Sequence, residues 1–152
     1  AASDVYKRQG YEAPIYIAWS VTNRSPLIRI PVTRGEGTRV ELRCPDSAAN
    51  PYLTLAVCLQ AGLDGIRNQI EPPAAVTENV FEMRMSQKNK LGIEELPADL
   101  GEALAEFEKD EYLQNVLGRH ATEKYIEAKK SEWADYRAQV SDWEINNYLY
   151  KI

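Results

Sequence analysis

At 152 residues, 44% of them apolar, the chain is long enough for one domain or part of a larger one with a buried core. Its formal charge of -5 is unevenly spread: five Arg stand against two Glu between Arg24 and Arg43, whereas 17 acidic residues face 10 basic ones from Glu71 onward. This is not the broad basic face of a nucleic-acid binder, and it suits a small anionic ligand held by a local Arg cluster. Cys44 and Cys58 show no metal-binding spacing and suggest no disulfide framework, so a reducing cytoplasm is expected. No apolar run is long enough to cross a bilayer. Residues 1–9 (AASDVYKRQ) lack helical or strand periodicity and join abruptly to the stretch from Gly10, so they read as foreign sequence or a truncation scar.

Residues 14–20 (PIYIAWS) predict a mostly buried strand, rich in β-branched and aromatic side chains. In Leu27–Thr33, Ile28, Ile30 and Val32 share one parity with Arg29 on the other. In Thr38–Arg43, Val40 and Leu42 share one parity and Arg39, Glu41 and Arg43 the other. Side chains alternate across a strand, so each strand has an apolar and a charged face. The link Arg34-Gly35-Glu36-Gly37 supplies glycines for a hairpin turn. The expectation is a hairpin packed on a core and presenting its charges to a cavity. Pro31 favours an edge or bulged position for the first strand.

Asn50-Pro51 predicts a helix start, with Asn as N-cap and Pro at the first turn. Leu53, Leu55, Val57, Leu59 and Leu63 make that helix apolar on most sides, so it is expected to be buried and to end around Gly65–Asn68. Residues 71–97 read as an irregular surface excursion. Asp99 with Glu102 resembles a capping box for a short helix bearing Leu100, Leu104 and Phe107. From Thr122, Ile126, Trp133, Tyr136, Val140 and Trp143 recur near helical spacing. Antiparallel sheet followed by helices gives an α+β fold class. His120 reads as a surface or capping residue, the three aromatics of the last third as packing residues, and the acidic run Glu102–Glu111 as a solvated helix face.

Arg39, Glu41 and Arg43 stand in a row on one strand face, roughly 7 Å between neighbours. A carboxylate between guanidiniums stays ionised. Arg suits bidentate recognition of phosphate or carboxylate, so with Arg24 and Arg29 the group could converge on a polyanion. Glu41 is available to a hard divalent cation. On spacing alone an exposed strand face with cross-strand ion pairs is the favoured reading, since such pairs are common.

At these residues a family resemblance becomes specific. Gly10-Tyr11-Glu12-Ala13-Pro14, Asn23-Arg24-Ser25 with Arg29-Ile30-Pro31, Arg39-Val40-Glu41-Leu42-Arg43 with Pro45-Asp46, Asn50-Pro51-Tyr52 and Ala61-Gly62-Leu63-Asp64-Gly65-Ile66 resemble, in order and spacing, the C-terminal part of a type I glutamine synthetase. The resemblance covers 10–152. It implies half of a catalytic barrel followed by C-terminal helices, and ATP-dependent ligation of ammonia to glutamate through γ-glutamyl phosphate with Mg²⁺ or Mn²⁺. Carried over, Glu12 resembles the flap glutamate that takes a proton from ammonium, and Arg24 the arginine that steadies the transferred phosphoryl group. Arg29 and Arg39 resemble ATP-binding residues, Glu41 a metal ligand and Arg43 the residue that grips substrate glutamate.

The resemblance further implies a cytoplasmic dodecamer whose C-terminal helix contacts the opposing ring, and a nitrogen-responsive transcription regulator as a possible partner. It implies no direct nucleic-acid contact and no membrane. Phe81 stands where some bacterial members carry an adenylylated tyrosine. The short hairpin loop and the ending Trp143-Glu144 with Tyr148 resemble the unmodified, feedback-inhibited subgroup of Gram-positive bacteria. The family arginine shortly before the Gly-Tyr-Glu block has no counterpart, since Arg8 is too close to Gly10. With the family's other metal-binding side chains upstream of this match, the chain reads as a partial enzyme, inactive alone. The alternative is a non-catalytic fragment acting as an interaction module for a regulator or for glutamine synthetase assembly.

Overall fold

The computed structural model describes residues 14–149 and Lys151. The expectations for residues 1–9 and Glu12 lie outside the described residues. The chain divides into two compact units, Ala1–Asp99 and Leu100–Ile152. The fold class is α+β, as expected, with small sheets in the first unit and helices dominating the second.

In the first unit the predicted strand over 14–20 splits into β1 (Tyr16–Ile17) and β2 (Trp19–Ser20). Pro14, Tyr16, Ala18 and Ser20 are buried and Ile17 is the one exposed residue of the segment, so it is mostly buried, as expected, with alternation putting Ile17 outside. The two strands also join different sheets. β2 pairs with β3 (Ile28–Arg29) in parallel, and β3 pairs with β4 (Glu41–Leu42) antiparallel, in register Ile28 to Leu42 and Arg29 to Glu41. The hairpin is therefore present, although its sheet is mixed rather than wholly antiparallel and its strands are two residues each. Its link is a 3-10 turn over Gly35–Gly37, where Gly35 takes the left-handed φ of 71° that favours glycine. β3 lies in the centre of this sheet, not at an edge. Pairing of β3 ends before Pro31, so the missing N–H costs no ladder bond.

The hairpin's apolar parity does not pack on the core: Val32 is 73% exposed, and Val40 and Leu42 are exposed too. The core is built instead from Tyr16, Ala18, Val76 and Val80, flanked by Ile15, Phe81, Met83 and Ile93. Half of it comes from 71–97, which is consequently more than a surface excursion. Within that stretch lie α2 (Met85–Lys90) and β5 (Glu94–Glu95), the latter antiparallel to β1. Two glutamates carry no strand signal, so β5 is specified by backbone pairing with β1, extended by the Leu96 N–H donating to the Ile15 carbonyl at 2.7 Å.

Between the two halves of this unit runs α1 (Pro51–Arg67), with the predicted bounds and the predicted cap: Asn50 Oδ1 accepts from the Tyr52 and Leu53 N–H groups at 3.0 and 3.3 Å. Its expected burial is overturned, since none of its residues is buried. Tyr52, Leu55, Leu59 and Ile66 form one exposed apolar stripe, because residues spaced by three, four and seven share a helix face.

In the second unit α3 (Leu100–Lys109), α4 (Glu111–Leu117) and α5 (Arg119–Arg137) pack around Leu104 and Thr122, the buried residues of α3 and α5. Phe107 meets Tyr125 edge-on at 5.7 Å, and Lys130 reaches Glu108 at 2.6 Å. The predicted final helix starts three residues early, at Arg119, and stops at Arg137. Val140 and Trp143 lie beyond it, with α6 (Asp142–Glu144) and a π turn over Ile145–Leu149. His120 is the second residue of α5 and is exposed.

Candidate active site

The register of β3 and β4 decides the site. Opposed residues of an antiparallel pair share a face, so Arg29 and Glu41 meet across the strands. Arg29 Nη1 donates to Glu41 Oε2 at 2.9 Å. Arg39, two residues before Glu41 and hence on the same face, donates from Nε to Oε1 at 2.9 Å, with Nη2 2.7 Å from the same oxygen. Arg39 Nη1 also donates to the Gly37 carbonyl at 3.2 Å, tying the cluster to the turn. Partial desolvation pushes the Glu41 carboxyl up, but the hydrogen bonds and charges of Arg39 and Arg29 outweigh it and hold the pKa below the ordinary carboxylate value. Arg29 Nε is buried without a partner among the described residues. Such a donor in a charged cluster is open to an acceptor brought by a ligand.

The row does not extend to Arg43. Its Nη1 turns to the loop between β2 and β3, donating to the carbonyl of Arg24 and, at 3.4 Å, to that of Pro26. Burial first, then the positive charges of Arg24 and Arg29, lower its pKa, with Glu41 opposing. An arginine starts so high that it stays charged at neutral pH. Arg24 itself is exposed on that loop. The structure thus joins Arg29, Arg39 and Glu41 directly and links Arg43 to the backbone of Arg24.

Sequence reasoning missed the residues that hold this loop. Asn23 Nδ2 donates to the carbonyls of Val76 and Glu78, and Ser25 Oγ accepts from the Val80 N–H. The block Asn23-Arg24-Ser25 stood out only for its family likeness and for the turn-forming character of the two residues flanking Arg24, and neither gives their partners.

A metal fits poorly on what is described. No group of three or more His, Cys, Asp or Glu that could hold a cation occurs among the described residues. Glu41 is one carboxylate where a hard cation takes about six or more oxygens, including waters. Its Oε1 is taken by Arg39 Nε and Nη2, whereas Oε2 accepts from Arg29 alone and keeps a lone pair.

With this geometry in place, comparison with known proteins is decisive. A family model described as the glutamine synthetase catalytic domain matches residues 2–148. The chain belongs to the glutamine synthetase catalytic-domain family. The glutamine synthetase of Clostridium saccharobutylicum is 53% identical over 148 residues, which cover 96% of this chain and 33% of that protein. Those of Methanosarcina mazei and Thermotoga maritima are each 51% identical, covering 95% of this chain and 33% and 34% of theirs. A solved structure of a GmaS/ADP complex is 38% identical with a TM-score of 0.77, over 90% of this chain and 30% of that one. A ligand-free GmaS structure is similar to the same degree, at 37% identity and a TM-score of 0.77. The chain spans about a third of the length of the curated glutamine synthetases it matches.

Proposed function

We propose that this chain is the C-terminal portion of an ATP-dependent glutamate–ammonia ligase, contributing the phosphate-facing side of its active site and not a whole one. The observation that carries the reading is the Arg29–Glu41–Arg39 cluster, built by strand register in a chain about half identical to glutamine synthetases. In phosphoryl transfer there is little for a protein to do beyond positioning and neutralising charge, and preorganised guanidiniums do both. Glu41 holds Arg29 and Arg39 side by side, so their remaining N–H groups are fixed as donors to nucleotide phosphates. The similar structure of a GmaS/ADP complex supports nucleotide as the ligand. Arg24, exposed on its loop, is placed to steady the phosphoryl group on its way to glutamate. Arg43 is proposed to meet substrate glutamate, its chain passing beside that loop. Glu12 would serve as the proton acceptor for ammonium.

Glu41 would add one oxygen to a Mg²⁺ or Mn²⁺ site whose other ligands lie outside the described residues. The 152-residue chain alone is expected to be inactive. Assembly as a homo-oligomer, a dodecamer by family likeness, is supported by the exposed Tyr136, Val140, Trp143, Tyr148 and Leu149 near the C-terminus. A cytoplasmic location belongs to this reading by family likeness; among the described residues no helix is long and apolar enough to cross a membrane.

The test is γ-glutamyl transfer with Mg²⁺ or Mn²⁺, measured on protein expressed from the whole reading frame, its Glu41→Ala variant and the 152-residue chain. Activity confined to the unaltered long protein is expected. Undiminished activity in Glu41→Ala would remove Glu41 from the site, and inactivity of the long protein would favour the non-catalytic module.

A further inference from the structure

The loop between β2 and β3 exposes Arg24 while binding both of its neighbours. Asn23 Oδ1 accepts from the Ser25 N–H at 3.0 Å and from its hydroxyl at 2.8 Å. Asn23 Nδ2 donates to the carbonyls of Val76 and Glu78 at 3.2 and 3.0 Å. All four hydrogen-bonding positions of the Asn23 amide are thereby used. Ser25 Oγ, having given its hydrogen to Asn23, accepts from the Val80 N–H at 3.0 Å, within the buried core. Upstream, the buried Ser20 Oγ accepts from the N–H groups of Thr22 and Asn23 at 3.2 and 3.3 Å. Downstream, Pro26 is fully buried, and Arg43 bonds the carbonyls of Arg24 and Pro26.

A hydrogen-bond network with every member satisfied specifies one geometry, and here its centre is a side chain that the network leaves exposed. We propose that Asn23 and Ser25 are positioning residues for Arg24: by latching the loop to the Val76–Val80 segment they fix where the guanidinium stands. The proposal rests on the reading of Arg24 given above. Neither residue touches a reacting atom; each acts through the backbone that carries Arg24. Displacing a positioned group by about 1 Å can cost on the order of a hundredfold in rate.

The test uses protein from the whole reading frame. Asn23→Asp keeps the acceptor for Ser25 but turns an oxygen toward the carbonyls of Val76 and Glu78, and Ser25→Ala removes only the two bonds of the Ser25 hydroxyl, from the Val80 N–H and to Asn23 Oδ1. Each is made alone and together with Arg24→Ala, and kcat, the KM values for ATP and glutamate, and the melting temperature are measured. The expected result is a fall in kcat on the order of a hundredfold in each single variant, with KM values shifted only a few-fold. Neither change should cost anything further in the Arg24→Ala background, because groups acting through one residue are non-additive.

Full additivity with Arg24→Ala, or a kcat loss that only tracks a lost folded fraction, would overturn the latch as a positioning device. So would unchanged kcat in both single variants while Arg24→Ala is impaired. If Arg24→Ala itself left kcat unchanged, the reading of Arg24 would fail, and the proposal with it. Should Asn23→Asp not fold, Ser25→Ala alone decides, since it removes one side of the latch without placing a charge there.

Discussion

Glu41 is the residue on which the charged cluster turns, and its protonation is a measurable handle on it. Its folded pKa lies below the ordinary carboxylate value of 4.5. The ion pairs with Arg29 and Arg39 therefore contribute in full above that value, and the contribution is lost as pH falls through the lower, folded one. Glu123, Glu127 and Glu144 are shifted the same way by Arg119, Lys124 and Ser141, so acid destabilisation of the chain is shared. The difference in melting temperature between the native chain and Glu41→Gln isolates the one residue. It should be largest near neutral pH and close up below the carboxylate range; a difference independent of pH would mean that the pairs contribute nothing. Added salt should shrink it, as for any partly exposed pair. That Arg29 and Glu41 lie on charged strand faces was legible in the sequence because parity needs only local spacing, whereas the register that sets them opposite each other was not. The bonds of Asn23 and Ser25 were not, since their partners lie 53 to 55 residues downstream and are backbone groups that any residue type supplies.

Among the elements, the start of α1 was readable because capping is local chemistry. Asn50→Ala should destabilise the first unit by about 1 kcal/mol in denaturant titration while Asn50→Asp costs far less, since the aspartate oxygen can still accept from the Tyr52 and Leu53 N–H groups. A second junction was not readable. Gly118 separates α4 from α5 at φ 77° and ψ 155°, a region essentially confined to glycine. A Cβ there would meet nothing within 4 Å, so Gly118→Ala measures backbone strain alone, about 1–3 kcal/mol by the same titration. A loss near zero would show that the junction relaxes to an ordinary conformation. The strand β5 escaped prediction for a related reason: Glu94 and Glu95 are placed by hydrogen bonds to β1, not by their side chains.

At the scale of the whole molecule, the main departure from expectation is the apolar surface left uncovered. An apolar helix is predicted to be buried because exposure is costly, yet α1 exposes Tyr52 at 83% along with Leu55, Leu59 and Ile66, and the hairpin exposes Val32 and Val40. A periodicity argument gives the face that needs covering, not whether this chain holds the cover. Since the chain spans about a third of its glutamine synthetase relatives, these surfaces are expected to be covered in the longer protein. Leu55→Lys with Leu59→Lys should therefore reduce the binding of a hydrophobic dye to the 152-residue chain, and should abolish γ-glutamyl transfer in protein from the whole reading frame. Retained activity there would mean that the stripe faces solvent in both.

Lys88 offers a different kind of reporter. Its ammonium lies 2.5 Å from the Tyr16 hydroxyl and 3.8 Å from the centre of that ring, and the residue is 4% exposed. Amine-reactive mass tags attack a lysine only when water reaches its nitrogen, so Lys88 should stay unlabelled while exposed neighbours such as Lys90 react within the first exposure. The moment at which Lys88 takes the tag during gradual heating would then mark when α2 parts from β1, giving a residue-level clock for the opening of the first unit.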